Sequence, residues 1–162
     1  MQRYHGSSER RTAGPAAVLA VVALGVLAAW WRWRPFRAAI AGGSMRPALQ
    51  PGDFVVATAR GAARLGSVVV VERPDRLGLE VVKRVAAVAG DRIPDAAALT
   101  NPGRTLGPGE GWVLGDNPSE STDSRTFGPV RTVAIRGVVR FRYWPPRRAG
   151  LVPKLQVSGS TG

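Results

Sequence analysis

Ser44 and Lys83 are the two residues of this sequence best suited to covalent chemistry. Ser44 follows Gly42 and Gly43, which would let the backbone approach a bound peptide closely. A serine hydroxyl is a weak nucleophile unless a nearby base removes its proton. The chain has no cysteine, and its single histidine, His5, stands among polar and charged residues near the N-terminus. A cysteine nucleophile, a thiolate zinc site and a Ser-His-Asp triad are therefore excluded.

Lys83 is the candidate for the base that Ser44 needs. Arginine keeps its proton at any ordinary pH, so only a carboxylate or a lysine remains. Lys83 lies in the apolar run 79–88, where an inward-facing lysine would lose hydration and its pKa would fall toward the working pH. The only other lysine among many arginines is Lys154, which favours a chemical role for Lys83. The alternatives are a Gly-Gly-Ser linker at Ser44 and a solvated lysine on the outer face of a strand.

A third polar cluster, residues 115–129, is dense in short side chains that form hydrogen bonds, and alone it is typical of a polar loop with Asx turns. Three blocks now follow in order: Ser44-Met45-x-Pro47 with Leu49 and Pro51-Gly52-Asp53, Val82-Lys83-Arg84-Val85 with Gly90-Asp91, and Gly115-Asp116-Asn117 with Ser121, Asp123-Ser124-Arg125 and Phe127-Gly128. Together they resemble the conserved boxes of the signal peptidase I family. The resemblance extends over residues 15–145 and ends at Tyr143-Trp144-Pro145.

The resemblance implies a role for each matching residue. Ser44 matches the nucleophile, Lys83 the general base and Ser121 the serine that orients the lysine amine. Charge pairs of Asp123, Arg125 and Arg84 would brace the site, and a shallow pocket for a small side chain would be lined by Met45, Leu49 and Val82. The Ser44 backbone N–H is the first oxyanion donor. The second donor stays unassigned, because Gly42 stands where some members have a serine. No metal and no cofactor is expected.

An uncharged run from Pro15 to Trp31 is nearly long enough, at about 1.5 Å per residue, to cross a hydrocarbon core of roughly 30 Å. Tryptophans and arginines at its C-terminal end are typical of a membrane interface. We therefore expect a flexible tail at 1–14, a transmembrane anchor at 15–34, a protease domain at 38–148 and a loose tail at 149–162. A cleaved secretory signal and a buried soluble helix are the alternatives.

Beyond residue 37, short β-branched runs alternate with turn signals rich in Gly, Pro and Asp. No long amphipathic helix follows the anchor, and residues 94–109 are predicted to form a loop or small flap. The fold class is therefore mainly β, with an antiparallel two-sheet or barrel-like domain. The predicted strands are 54–58, 67–72, 79–88, 112–114 and 133–143.

The net charge of +12 indicates attraction to an anionic surface, or an arginine-rich composition that keeps the domain soluble. No nucleic-acid module is present, so we expect no nucleic-acid partner. The expected function is a membrane-anchored serine endopeptidase that cleaves signal peptides from secreted precursors. Its partners would be the lipid bilayer and precursors with small residues before the cleavage site. It would sit in the cell membrane as a single-pass protein, with the catalytic domain on the extracytoplasmic side.

Two departures from the family pattern bear on the substrate. The domain is short, and Pro118 follows Gly-Asp-Asn where many members have a charged residue. Both features resemble a small branch associated with maturation of nickel-type superoxide dismutase, so one dedicated precursor is the alternative substrate. A second alternative, from another class of protein, is a non-catalytic, membrane-tethered β module that binds extended peptides.

Overall fold

The structure is a computed structural model that describes residues 14–32, 34–59, 63–93 and 103–153. Two compact units, Met1–Arg32 and Trp33–Gly162, divide the chain. The expectations for residues 1–13, for 94–102 of the predicted flap and for 154–162 of the predicted tail lie outside the described residues. The other expectations can be compared with the fold directly.

The described part of the first unit forms one helix, α1 (Pro15–Arg32), of 18 residues. Pro15 stands at the first helical position, where its missing N–H removes no helical hydrogen bond. The Ala17 and Val18 N–H groups donate to Gly14 O at this end. The helix coincides with the segment predicted as an anchor. No helix among the described residues is both long enough and apolar enough to cross a membrane.

The described strands of the second unit are β1 (Pro35–Ala39), β2 (Phe54–Thr58), β3 (Val68–Glu72), β4 (Glu80–Val88), β5 (Glu110–Leu114), β6 (Val130–Arg131), β7 (Ile135–Trp144) and β8 (Gly150–Leu151). They form an antiparallel sheet with the order β1-β2-β7-β3-β4-β5-β6, and β8 pairs with β7. A mainly β, antiparallel fold is therefore confirmed. Instead of two sheets, the described strands form one, in which register shifts in β2, β3 and β4 introduce bends.

The central strand β3 is buried on both faces, which explains its run of four valines. Val68 and Val70 pack in one cluster, here called the inner cluster, with Ile40, Met45, Leu49, Val55, Ala57 and Val139. Val69 and Val71 point the opposite way and pack in the outer cluster, with Val85, Val113, Val130 and Val138. One bent sheet with an apolar cluster on each face thus fits the barrel-like form of the expectation and not the two-sheet form.

All five predicted strands are present as β2, β3, β4, β5 and β7; β2 has the predicted ends, and the ends of the others differ by at most two residues. Three strands were missed. β1 begins with a proline and contains an arginine, and such a strand is tolerated at the end of a sheet, where β1 lies. β6 and β8 have two residues each, too short for any alternation to show. Because β1 begins at Pro35 and β8 ends at Leu151, the sheet extends beyond the predicted range 38–148 at both ends.

Candidate active site

Ser44 lies in the turn that leads out of β1, and this turn is fixed at its base and along its length. Ile40 N–H donates to Asp53 O at 2.9 Å, which closes the segment just before β2. Met45 and Leu49 are 1% and 0% exposed and anchor the turn in the inner cluster. Ser44 itself is half-buried. The fold therefore anchors the turn around Ser44 and leaves this residue partly exposed.

Lys83 lies in the middle of β4, and its Nζ is 2.8 Å from Ser44 Oγ. The whole residue is only 3% exposed. Burial lowers the pKa of Lys83 below the usual 10.5 of lysine, Arg73 and Arg125 lower it further, and Asp123 acts in the opposite direction. Because burial dominates, Lys83 can be a neutral amine at a pH where an exposed lysine is charged. A neutral amine at this distance can accept the Ser44 proton.

Asp123 is the most heavily hydrogen-bonded carboxylate near the dyad, and it is completely buried. It accepts hydrogen bonds from the Ser121 hydroxyl at 2.6 Å, from Gly115 N–H at 2.9 Å and from the Arg125 guanidinium at 2.6 and 2.9 Å. Burial alone would raise the pKa of Asp123, but these hydrogen bonds, led by that from Arg125, hold it below its usual range. Within the described residues Ser121 forms no hydrogen bond to Lys83, so Asp123 is its link to the site.

Arg84 follows Lys83 in β4 and forms a bidentate ion pair with Asp116. Its Nε and Nη2 atoms lie 2.7 Å from the two carboxylate oxygens, and its Nη1 donates to Gly66 O at 2.9 Å. The two side chains are 6% and 2% exposed, so the pair is shielded from water. It connects the strand that carries Lys83 to the loop that follows β5.

That loop also holds the backbone of the nucleophile. Asn117 N–H donates to Ser44 O at 2.9 Å, and Asn117 Nδ2 donates to Gly43 O at 3.3 Å. Gly115 must lack a side chain, because a Cβ there would lie 2.6 Å from Ser44 O and collide with the Ser121 hydroxyl. The Ser44 N–H has no acceptor among the described residues, so it remains available to an oxyanion.

A cavity of about 220 Å³ leads to the dyad between the end of β1 and the start of β4. Of the residues expected to form a pocket, Met45 and Val82 line this cavity, while Leu49 is not among its lining residues. Among the described residues, no group of three or more His, Cys, Asp or Glu side chains is placed to hold a metal ion. The cavity lining is Ala39, Ile40, Ala41, Gly42, Ser44, Met45, Glu80, Val81, Val82 and Lys83.

Comparison with known proteins identifies the family of the chain. The family model described as "Signal peptidase, peptidase S26" matches residues 11–100 and 94–144. The chain belongs to this family. The resemblance drawn from the three sequence blocks is therefore confirmed, and membership places the chain among serine peptidases.

Curated relatives of this signal peptidase family member carry the name of one enzyme type. The chain is 37% identical over 82 residues to mitochondrial inner membrane protease subunit 1 of Xenopus tropicalis, with 49% of each chain covered. It is 36% identical over 118 residues to mitochondrial ATP-independent inner membrane protease subunit 1a of Arabidopsis thaliana, covering 67% of this chain and 70% of the relative. Subunit 2 of the Saccharomyces cerevisiae protease is 30% identical over 129 residues, with 73% of each covered. The chain thus matches about half the length of the frog relative and more of the other two.

The structure of this signal peptidase family member also contains contacts that sequence reasoning left unassigned. Asn117 and Asp53 belong to the three sequence blocks, but the sequence alone indicates a role for neither. Asp53 is 1% exposed and lies 3.3 Å from Arg142 and 3.1 Å from Arg148, far along the chain. Since two residues so distant in sequence carry no pairing signal, only the fold reveals that the C-terminal segment holds the start of β2. The sequence likewise indicates no separate role for Glu120, which lies in the polar cluster 115–129.

Proposed function

We propose that this protein is a membrane-anchored serine endopeptidase in which Ser44 attacks the peptide bond and Lys83 is the general base. The observation that carries the proposal is the 2.8 Å contact between Ser44 Oγ and the Nζ atom of a lysine that is only 3% exposed. A buried lysine with a lowered pKa, next to a serine, is the arrangement that nucleophilic catalysis without histidine requires. Family membership supports the peptidase class.

The proposed reaction is acyl transfer in two halves. Neutral Lys83 takes the Ser44 proton while Ser44 Oγ attacks the carbonyl carbon, and the oxyanion that forms accepts a hydrogen bond from the Ser44 N–H. The tetrahedral intermediate collapses, the C–N bond breaks, and the Lys83 ammonium gives its proton to the leaving amine. Lys83, neutral again, then deprotonates a water that attacks the ester. The second collapse returns the proton to Ser44 and releases the acid.

The edge of β4 supports binding of an extended substrate. β4 pairs with β3 along its first half, but its pairing with β5 starts only at Arg84. Within the described residues, the backbone of Glu80–Lys83 is therefore unpaired on the side of the cavity, and β1 lies at the end of the sheet order. A peptide could add to these edges through main-chain hydrogen bonds. Because Met45 and Val82 restrict the cavity, small residues before the scissile bond fit the space best.

Membrane attachment through residues 15–34 and cleavage of precursor proteins complete the proposal. The relatives are named as inner membrane proteases, which supports a membrane location. If the substrate is a secreted precursor, its cleavage site emerges on the outer side of the cell membrane, and the β unit must lie there. A tag after Gly162 tests the orientation: protease should remove it from intact cells or spheroplasts, and its protection until the membrane is breached would contradict this side.

The nature of the precursor is decided by a processing assay on two substrates. We propose a general secreted precursor, and the alternative is one dedicated precursor such as that of nickel-type superoxide dismutase, favoured by Pro118 and the short domain. Both precursors should be offered to the full chain in vesicles, and the products identified by mass spectrometry. Cleavage of the dismutase precursor alone would establish the dedicated role.

Single substitutions test the dyad against the non-catalytic peptide-binding alternative. Ser44→Ala and Lys83→Met should each lose roughly a thousandfold or more in cleavage rate while still binding a precursor peptide. Lys83→Arg should fail as well, because arginine does not release its proton. Lys154→Met, at the only other lysine, is the matched control and should cleave normally. Cleavage within about tenfold of the unmodified chain by any of the three active-site variants would overturn the assignment.

A further inference from the structure

The carboxylate of Glu120 lies against the backbone of the residue that precedes the nucleophile. Gly43 has no side chain, and a Cβ at this position would collide with Glu120 Oε2 and lie 3.0 Å from Glu120 Cδ. The carboxylate therefore occupies the space that a side chain at position 43 would fill. Glu120 is the last residue of a single 3₁₀ turn, Pro118–Glu120, directly before Ser121. This turn brings a negative charge to within one residue of Ser44.

Glu120 lies outside the cavity that would hold the acyl half of a substrate. That cavity is lined by the end of β1, the Ser44 turn and the start of β4, and Glu120 is not part of its lining. Glu120 instead contacts Gly43 and pairs with Arg46. In the proposed reaction the acyl half fills the cavity, so the leaving half must pass over the surface beyond it. Glu120, in contact with the residue that precedes Ser44, is therefore placed to meet the leaving half.

The Glu120 carboxylate is only loosely neutralised by its own protein. Arg46 Nη1 is 3.9 Å from Glu120 Oε1, and the two side chains are 52% and 50% exposed. An ion pair of this length and exposure contributes little, because water and salt screen it. A cation on the substrate can therefore compete with Arg46 for the carboxylate.

We propose that Glu120 is a specificity-determining residue that selects a cationic side chain in the first position after the scissile bond and disfavours an acidic one. The inference rests on the proposed function of Ser44 and Lys83. Its physical basis is the charge that develops during the reaction. The oxyanion accepts a hydrogen bond from the Ser44 N–H, and a carboxylate one residue away, only weakly paired with Arg46, opposes that negative charge. A lysine or arginine on the leaving half neutralises Glu120 and so reduces the repulsion between its carboxylate and the oxyanion.

Three peptides that differ only in the first residue after the cleavage site, Lys, Gln or Glu, provide the test. The full chain should be reconstituted in vesicles of zwitterionic phosphatidylcholine, so that the membrane does not attract the cationic peptide. We expect kcat/KM to decrease from the Lys to the Gln peptide and from the Gln to the Glu peptide, each time by about two- to fivefold. This is the size of effect that an interaction between half-exposed charges produces. The differences in kcat/KM between the peptides should become smaller as the ionic strength rises from about 0.05 M to about 0.5 M, where salt strongly screens the charges.

Substitutions then assign the preference to Glu120. Glu120→Gln should reduce the differences in kcat/KM among the three peptides. It should also raise kcat/KM on the Gln and Glu peptides, a gain that mere structural damage would not produce. Arg46→Gln should increase the differences in kcat/KM among the three peptides, because it removes the cation that competes for Glu120. Glu110→Gln is the matched control: Glu110 also pairs with an arginine, Arg104 at 2.8 Å, but lies outside the cavity lining. It should keep the original order.

Two results would overturn the inference, and they differ from failure of the proposed function. A kcat/KM that is independent of the charge after the bond in the unmodified chain would remove the preference, and an order unchanged by Glu120→Gln would assign it to another group. If instead no peptide is cleaved, or Ser44→Ala still cleaves, the proposed function fails first. The unmodified chain and Ser44→Ala should therefore be assayed on the Gln peptide before the series.

Discussion

Removing either member of the Arg84–Asp116 ion pair should lower the free energy of unfolding by about 3–5 kcal/mol. The side chains are 6% and 2% exposed, and two nitrogen–oxygen contacts of 2.7 Å join them. Arg84→Met would leave the Asp116 carboxylate buried without its cation and would also remove the hydrogen bond to Gly66 O. Asp116→Leu would leave the guanidinium in the same position. In each single variant the remaining buried charge, more than the lost attraction, causes the destabilisation.

The double variant Arg84→Met/Asp116→Leu separates these two contributions. It buries no unpaired charge, so it should be less destabilised than the sum of the single variants by at least about 2 kcal/mol. The measurement is urea unfolding of the full chain in detergent, followed by circular dichroism and compared at equal m-values. Arg136→Met is the control, because the Arg136–Glu80 pair is 62% and 36% exposed and should contribute less than about 1 kcal/mol.

Additive single variants, or single losses below about 1 kcal/mol, would refute this account of the pair. Such a result would mean that water reaches Asp116 and that Arg84 does not hold the loop. The same variants connect stability to activity, because Asp116 precedes Asn117, whose N–H holds Ser44 O at 2.9 Å. If the pair fixes that loop, folded Asp116→Leu should lose kcat while its KM changes little.

Three further predictions concern the immediate surroundings of the dyad. Burial is the main cause of the lowered pKa of Lys83, and the charge of Arg73 lowers this pKa further. Arg73→Gln should therefore raise the pKa of Lys83 and move the acid limb of the kcat/KM profile to higher pH. An acid limb that does not move would contradict the influence of Arg73. Ser121→Ala should cut kcat by roughly ten- to a thousandfold through poorer positioning, less than Ser44→Ala, and a loss equal to that of Ser44→Ala would assign Ser121 a direct role. Gly115→Ala should abolish cleavage in a folded protein, because the new Cβ would lie 2.6 Å from Ser44 O; normal turnover would show that the loop can move away.

The sequence was sufficient for those parts of the fold that depend on local pattern. β3 and β4 were predicted because runs of valine are typical of buried strands, and the turns between them carry Gly, Pro or Asp. The order of these strands in the sheet has no such signal. β7 pairs with both β2 and β3, which precede it by many residues, and these long-range pairings depend on the whole apolar surface.

The site could be predicted only as far as residue types restrict its chemistry. The absence of cysteine and the position of the sole histidine left Lys83 as a candidate base, yet nothing local indicated that its amine would lie 2.8 Å from Ser44 Oγ. The partners of buried charges were still less accessible. Asp116 could have paired with any of many arginines, and the choice of Arg84 follows from strand register, since Arg84 pairs with Leu114 across β4 and β5.

Strand register and burial together explain why arginine surrounds the one lysine of the site. A general base must lose its proton, whereas the cations that brace it must keep theirs, and only arginine does so reliably. Arg125 holds Asp123 with two short hydrogen bonds, and Arg84 holds Asp116 with two more. A lysine at either bracing position would be a second titrating amine in the same low-dielectric region. The proton would then be shared among competing groups, and a neutral amine beside Ser44 would no longer be assured.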